Sequence, residues 1–340
     1  MKAVVLINEG DASSAFQIQD LPTPIAKPNE VLIQVSHFGL NYADVMCRAG
    51  LYNDRPQLPC VLGYEVVGIV AEKGKDVLGF EKGDFVLAFT MFGGYAEFAV
   101  ADYRGMVKLA PGTDPAAAAA LATQYCTAWY SACHMMNLLP GDRVLVHAAA
   151  GGVGTALVQI AKWKGCEVFG TASQPRKLDY LKQQGVDHAI NYTAEPFEEA
   201  ISKILGNERL DAAFDPVGGT NFKKTKALLG SGGRIVTFGA SEWSNTKGKI
   251  FDKIKLAFGF GFLHPIGLLM KSQSVIGVNM LRVGENKPHY LQKTINEVYE
   301  HYQKGILKPT VDSVYEVANI AEAHAKLESR DTIGKVVGKW

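Results

Sequence analysis

The chemistry in this sequence is easiest to see in a run of small residues, His147-Ala148-Ala149-Ala150-Gly151-Gly152-Val153-Gly154. Read as Ala149-x-Gly151-x-x-Gly154, it has the G-x-G-x-x-G spacing with Ala in first place. Small side chains let a backbone approach a pyrophosphate. Free N–H groups and the positive dipole end at a helix start then bind its charge. The run follows a predicted strand, Arg143–His147, and opens a helical pattern from Val153 to Lys164, the setting this chemistry requires. Ala150, Gly151, Gly152 and Val153 are therefore the expected pyrophosphate contacts. A tight turn without a ligand is the plainer alternative.

The next strand should end beside the adenosine ribose. NAD-preferring folds place a carboxylate there to hold both hydroxyls. Here the strand ends Gly170-Thr171-Ala172-Ser173 and continues Gln174-Pro175-Arg176-Lys177, with a small hydroxyl and two cations instead. Ser173 can donate to a 2′-phosphate, and Arg176 or Lys177 can pair with it. Charge-assisted hydrogen bonds contribute ~1.5–3 kcal/mol each, so two would favour NADPH by roughly a hundredfold or more. A solvated basic helix start is the alternative.

These residues need a scaffold, and the pattern supplies one. Val31–Val35, Val66–Val70, Gly83–Ala88 and Tyr95–Val100 are short β-branched or alternating runs with glycine punctuation, which predicts a compact barrel-like β domain. Near residue 115 the character changes: Pro115 opens an alanine run, a good helix start. Strand and helix patterns then alternate to Gly239, predicting parallel βαβ units. Later come a strand at Ser274–Asn279, a helix at His289–Lys304 and closing strands at Lys308–Tyr315 and Gly334–Val337.

Composition excludes several classes. Net charge is +1, with no basic stripe to indicate nucleic acid. Cys47, Cys60, Cys126, Cys133 and Cys166 are odd in number and form no C-x-x-C pair, so reduced thiols in a cytoplasmic protein are expected. The apolar start lacks the cleavage site of a signal peptide. Leu256–Met270 is apolar but only 15 residues long, against about 20 needed to span a bilayer. It reads as a buried helix or as an exposed flap able to touch a membrane or gate a lipophilic substrate.

With these stretches in view, the chain resembles the zinc-free medium-chain dehydrogenases/reductases of the quinone oxidoreductase (zeta-crystallin-like) type, nearest to the vesicle amine transport protein homologues. The resemblance rests on Gly39–Asp44, Arg48–Tyr52, Leu145–Gly154, Phe169–Ser173, Asp215–Gly219 and Ile306–Val314, in order and nearly end to end. It implies an α/β architecture: a GroES-like catalytic domain from residues 1–121 and 265–340, and a Rossmann doubly wound domain from 122–264. It also implies a homodimer. Tyr192 would join Ser173 and Lys177 near the 2′-phosphate, and Thr127 would lie near the nicotinamide. Val217, Phe238, Gly239 and Ser241 would line the cofactor, with Asn279 and Lys335 reaching it from the flanking domain. The alcohol-dehydrogenase branch places zinc ligands where this chain has Asn41, Tyr64 and near Thr123, residues poorly suited to zinc. No metal is expected.

Without a metal, oxidising an alcohol is hard, whereas an electron-poor conjugated acceptor needs only hydrogen-bond donors at the oxygen that gains charge. The resemblance places Asn41 and Tyr52 there, with Tyr42 and Tyr64 as aromatic walls. A neutral phenol can donate, so Tyr52 is the expected donor and Asn41 the expected orienting group. Packing alone is the alternative for each. The expected activity is NADPH-dependent reduction of quinones. The alternatives are reduction of α,β-unsaturated ketones or aldehydes, and a non-catalytic NADPH-binding role in membrane traffic. His134, His188, His289, His301 and His324 are expected to be structural or solvated, and His147 to pack or bond locally.

Overall fold

A computed structural model describes residues 1–241 and 259–340 and divides them into two compact units. One comprises Met1–Cys126, Met280–Gly305 and Pro309–Trp340, the other Thr127–Asn279 and Ile306–Lys308.

The second unit is built on a six-stranded parallel sheet. Its order is His188–Asn191, Glu167–Ala172, Arg143–Val146, Leu210–Asp215, Leu229–Thr237, Ser274–Gly277. Strands covered on both faces must be apolar throughout. Accordingly Val144-Leu145-Val146, Val168-Phe169 and Ala212-Ala213-Phe214 are fully buried. The helices Gly152–Trp163, Pro175–Gln183, Phe197–Leu205 and Gly219–Leu228 alternate with the strands as expected.

The boundary expected at residue 265 moves to 280. Ser274–Gly277 pairs in parallel with Leu229–Thr237, from Arg234 opposite Ser274 to Thr237 opposite Gly277, and so completes this sheet. Asn279 therefore belongs to the same unit as the glycine run and does not reach it from a flanking domain. Lys308 is also drawn in: its N–H donates to Gln159 Oε1 and its carbonyl accepts from Gln159 Nε2, both at 2.9 Å. The strand expected from Lys308 consequently begins at Val311.

Both chain ends build the first unit. Its seven-stranded sheet runs Val311–Glu316, Lys335–Lys339, Glu30–Leu40, Glu65–Lys73, Phe85–Phe89, Met106–Lys108, with Phe98–Asp102 paired to Glu30–Leu40. Lys2–Leu6 forms a smaller sheet with Phe16–Asp20 and Cys60–Val61. Val4, Ile33, Phe38, Val66, Val86 and Tyr95 lie in one apolar core. The alanine run opens the helix Pro115–Ala120, capped by Asp114. The chain then widens into a π-helical turn, Leu121–Tyr125, which the alanine-rich sequence does not signal.

The segment Leu256–Met270 is only partly described, since residues 256–258 lie outside the described residues. Pro265–Lys271 forms a short helix with no buried residue, which corrects the buried-helix expectation for that stretch. Among the described residues no helix is long and apolar enough to cross a membrane. All five cysteines are free thiols.

Two histidines are locked into the cores. His147 Nε2 lies 2.8 Å from Thr225 Oγ1, whose own proton goes to the Asn221 carbonyl. Nε2 therefore carries the proton, and Nδ1 accepts from Thr171 Oγ1 at 3.2 Å. His324 sits under Phe16 with Tyr95 OH 3.4 Å from its Nε2. Burial pushes both imidazoles down to about 3. Below their ordinary value near 6.5 the unfolded chain takes up protons that the folded chain refuses. Their stabilisation is thus complete above that pH and is lost as pH falls toward the folded value. Each should steepen the loss of unfolding free energy by about 1.4 kcal/mol per pH unit between roughly pH 6 and 4. Denaturant titrations of His147→Asn and His324→Asn should each show a flatter pH slope than the parent. An unchanged slope would refute the account.

Candidate cofactor cradle and polar cluster

In the parallel-sheet unit the predicted cofactor residues converge at one edge, following the C-terminal ends of successive strands. Ala150–Val153 follow Arg143–Val146, Ser173 follows Glu167–Ala172, and Tyr192 follows His188–Asn191. Val217 follows Leu210–Asp215, Phe238, Gly239 and Ser241 follow Leu229–Thr237, and Asn279 follows Ser274–Gly277. Strand order reverses on either side of Arg143–Val146, so this edge includes a topological switch point, the usual ligand position in an open α/β sheet.

The glycine run forms a cradle. The helix Gly152–Trp163 starts at Gly151 with no side-chain cap, leaving its first N–H groups to a ligand. A Cβ on Gly154 would strike the Ala148 carbonyl and lie 2.7 Å from Ala149 Cα, and one on Gly151 would lie 3.2 Å from the Ala148 oxygen. Only glycine permits the close approach. The loop is pinned from beneath: Ala149 N–H donates to the Thr171 carbonyl at 3.0 Å, and Ala148 N–H to Thr171 Oγ1 at 3.3 Å. These residues fit a dinucleotide.

The neighbouring strand tips present Ser173, the half-exposed Tyr192, and the helix Pro175–Gln183, whose first turn holds no acidic residue. Arg176 is exposed and Lys177 is buried. Asp215, fully buried, was not foreseen: its Oδ1 accepts from Val217 N–H at 2.7 Å, Gly218 N–H at 3.2 Å and Asn221 Nδ2 at 3.1 Å. It fixes the loop that carries Val217. Ser241 N–H donates to the Pro216 carbonyl at 3.1 Å, and Thr127 is buried at the start of the unit.

The other candidates belong to the first unit. Asn41 precedes the helix Tyr42–Arg48, and its backbone N–H donates to Asp44 Oδ2 at 2.8 Å. Its side chain is nearly buried. Nδ2 lies 2.9 Å from both Glu65 oxygens, and Oδ1 accepts from Lys335 Nζ at 2.8 Å. Lys335 and Glu65 form a fully buried ion pair, and Thr123, from the π-helical turn, donates its hydroxyl to Glu65. Lys335, expected at the cofactor, thus spends its ammonium inside this cluster. Glu65 was not foreseen because its partners lie far away in sequence. Burial pushes the Asp44 carboxyl up to about 7.

Tyr52 is partly exposed, and the buried Tyr64 has its hydroxyl 3.8 Å from Cys47 Sγ. Burial raises both phenols above their ordinary value, so each is a neutral donor near pH 7. Tyr64 also packs on Phe92, with ring centres 5.0 Å apart. Tyr42 is placed otherwise: its hydroxyl accepts from Arg330 at 3.3 Å and its ring lies under that guanidinium.

One unit with a parallel sheet and a dinucleotide cradle, and a second, β-rich unit carrying tyrosines and a buried polar cluster, define a nucleotide-dependent oxidoreductase. Residues 27–111 match the alcohol dehydrogenase GroES-like domain model and residues 152–298 the zinc-binding dehydrogenase model. Human quinone oxidoreductase is 30% identical over 328 residues, covering 96% of this chain and 94% of its own length. A Danio rerio synaptic vesicle membrane protein VAT-1 homolog is 32% identical over 316 residues, 92% of this chain; the match spans 65% of that relative's length. The structure of Escherichia coli quinone oxidoreductase complexed with NADPH aligns with a TM-score of 0.87 at 26% identity, covering 100% of both chains. The chain belongs to the medium-chain dehydrogenase/reductase family, in its quinone oxidoreductase group. One model's description mentions zinc, and the residues here do not fit it. An amide, a hydroxyl and a carboxylate already bonded to an ammonium are a poor donor set for that ion. Among the described residues no group of three or more His, Cys, Asp or Glu could hold a metal.

Replacing Gly154 by Ala should overpack the cradle, costing about 1–3 kcal/mol of stability. Isothermal calorimetry on the folded variant should show dinucleotide affinity reduced by at least about tenfold, the equivalent of 1.4 kcal/mol.

Proposed function

We propose that the protein is a zinc-independent, NADPH-dependent reductase of quinones. The observation that carries this reading is the Asn41–Glu65–Thr123–Lys335 cluster, in which a protein ammonium stands among the side chains that zinc would otherwise use. With no Lewis acid to lower an alcohol's pKa, alcohol oxidation loses its driving device. A quinone needs only donors at the oxygen that gains charge. Bound NADPH supplies the hydride. Tyr52 donates to the quinone oxygen, and burial keeps its phenol neutral near pH 7. Asn41 orients the reactants, and the aromatic Tyr64 suits a flat ring. Ser173, Arg176, Lys177 and Tyr192 hold the 2′-phosphate, with Thr127, Val217, Phe238, Gly239, Ser241 and Asn279 along the rest of the cofactor.

Enones and enals present the same developing oxyanion and are the nearest alternative substrates. Steady-state assays with NADPH against o-quinones, p-quinones and enones separate the two. Tyr52→Phe should lower kcat for quinones on the order of 10²-fold with the cofactor's affinity unchanged; unchanged turnover removes the donor role. NADPH should be strongly preferred over NADH. Ser173→Ala combined with Lys177→Ala should shrink that preference in kcat/KM by at least about tenfold. Equal efficiency with both cofactors in the parent would sink the assignment.

One observation favours a binding role in membrane traffic: Phe262, Ile266, Leu269 and Met270 are exposed on and beside the short helix Pro265–Lys271. Liposome flotation tests it. A homodimer that covers the same face would show itself in sedimentation velocity and leave the liposomes empty.

A further inference from the structure

Towards its C-terminal end the strand Glu30–Leu40 lies between Lys335–Lys339 on one side and Glu65–Lys73 on the other. Register places Val337 opposite Gly39 and Val66 opposite Phe38. Lys335 and Glu65 therefore reach each other across the middle strand at Gly39. A Cβ there would collide with Glu65 Oε1 and lie 2.7 Å from Lys335 Nζ. The glycine makes a passage for the ion pair.

Burying a full charge pair is a poor way to gain stability, since an apolar pair of similar volume often does as well or better. What this pair does is hold Asn41. The amide's NH₂ faces the carboxylate and its carbonyl faces the ammonium. Turning the amide over would set C=O against carboxylate and NH₂ against ammonium, two repulsions in a site closed to water. The pair therefore selects one of the amide's two orientations. Because both Nδ2 contacts go to one carboxylate, a single shared proton can serve them, leaving the second N–H and one Oδ1 lone pair aimed in fixed directions.

We propose that Lys335, with Glu65 as its counter-charge, is a positioning residue that sets the orientation of the Asn41 amide for reduction, a protein-borne cation doing by hydrogen bonding what no metal is placed to do. This rests on the reductase reading above for its kinetic consequence, though not for the orientation itself.

Three variants test it: Lys335→Met, Glu65→Gln, and the two combined. Each single change leaves one charge buried alone and should lower the thermal midpoint. The double variant removes both charges and should recover most of that loss. Its turnover should not follow, remaining roughly tenfold to a hundredfold below the parent in kcat while the affinity for NADPH changes little. Heteronuclear NMR gives an independent reading. The Asn41 side-chain amide, identified by its disappearance in Asn41→Ser, should give one sharp, slowly exchanging pair of signals in the parent. In the double variant it should be doubled or broadened. Recovery of turnover together with stability, an unchanged Asn41 amide, or a double variant that does not fold would each overturn the proposal. If the parent reduces neither quinones nor enones, the reductase reading fails, and the amide spectra still decide whether the pair sets the orientation.

Discussion

A carboxylate and an ammonium taken out of water must each find an opposite charge, and in the unit built from both chain ends that demand falls on Glu65 and Lys335. Much of the local structure follows from it. Gly39 must lack a side chain, the π-helical turn must bring Thr123 to the carboxylate, and Asn41 must fill the remaining space with an amide that suits both charges. The same rule operates elsewhere. Arg48, buried, meets the Gly10 carbonyl and Glu328, and Asp215 collects two backbone N–H groups and an amide. Where these polar groups are satisfied by backbone, they shape loops; where they are satisfied by one another, they fix side chains.

The two units were unequally legible in the sequence. The parallel-sheet unit declares itself through local signals: apolar strands such as Val144–Val146, a glycine run at a strand-to-helix turn, and a second strand whose tip lacks a carboxylate. Each can be read within a short window, and each appears in the structure at the place expected. The short strand Ser274–Gly277 escaped correct placement because its membership is decided by pairing with Leu229–Thr237, not by its own composition. The π-helical turn was hidden by a sequence rich in Ala and Leu that suits an ordinary helix equally well.

The polar cluster was least legible. Asn41, Tyr64 and Thr123 attracted notice only as departures from a family's metal ligands, and Lys335 only as a cofactor contact. Nothing local to Lys335 signals full burial; a lysine near a strand start is ordinarily solvated. Its role emerges from strand order, which sets Lys335–Lys339 and Glu65–Lys73 on either side of Gly39. Pairs of this kind are written in topology, and topology is what a single sequence states most faintly. The tyrosines are an intermediate case: Tyr52 and Tyr64 meet, as aromatic residues near one site would suggest, whereas Tyr42 is held by Arg330.

The strand Lys335–Lys339 lies inside its sheet, between Val311–Glu316 and Glu30–Leu40. During synthesis Gly39 and Glu65 leave the ribosome long before Lys335, which is 270 residues further along from Glu65. Until then the strand Glu30–Leu40 is open along its His37–Leu40 edge, and Glu65 is an acid with no base to meet it. The early strands can pair with one another, but the charge of Glu65 stays unmatched while the whole nucleotide-binding unit is made. The strand Lys335–Lys339 acts as a keystone. Its arrival joins Val311–Glu316 to Glu30–Leu40 and neutralises the interior in a single event, so the polar cluster is complete only once Lys335 is in place.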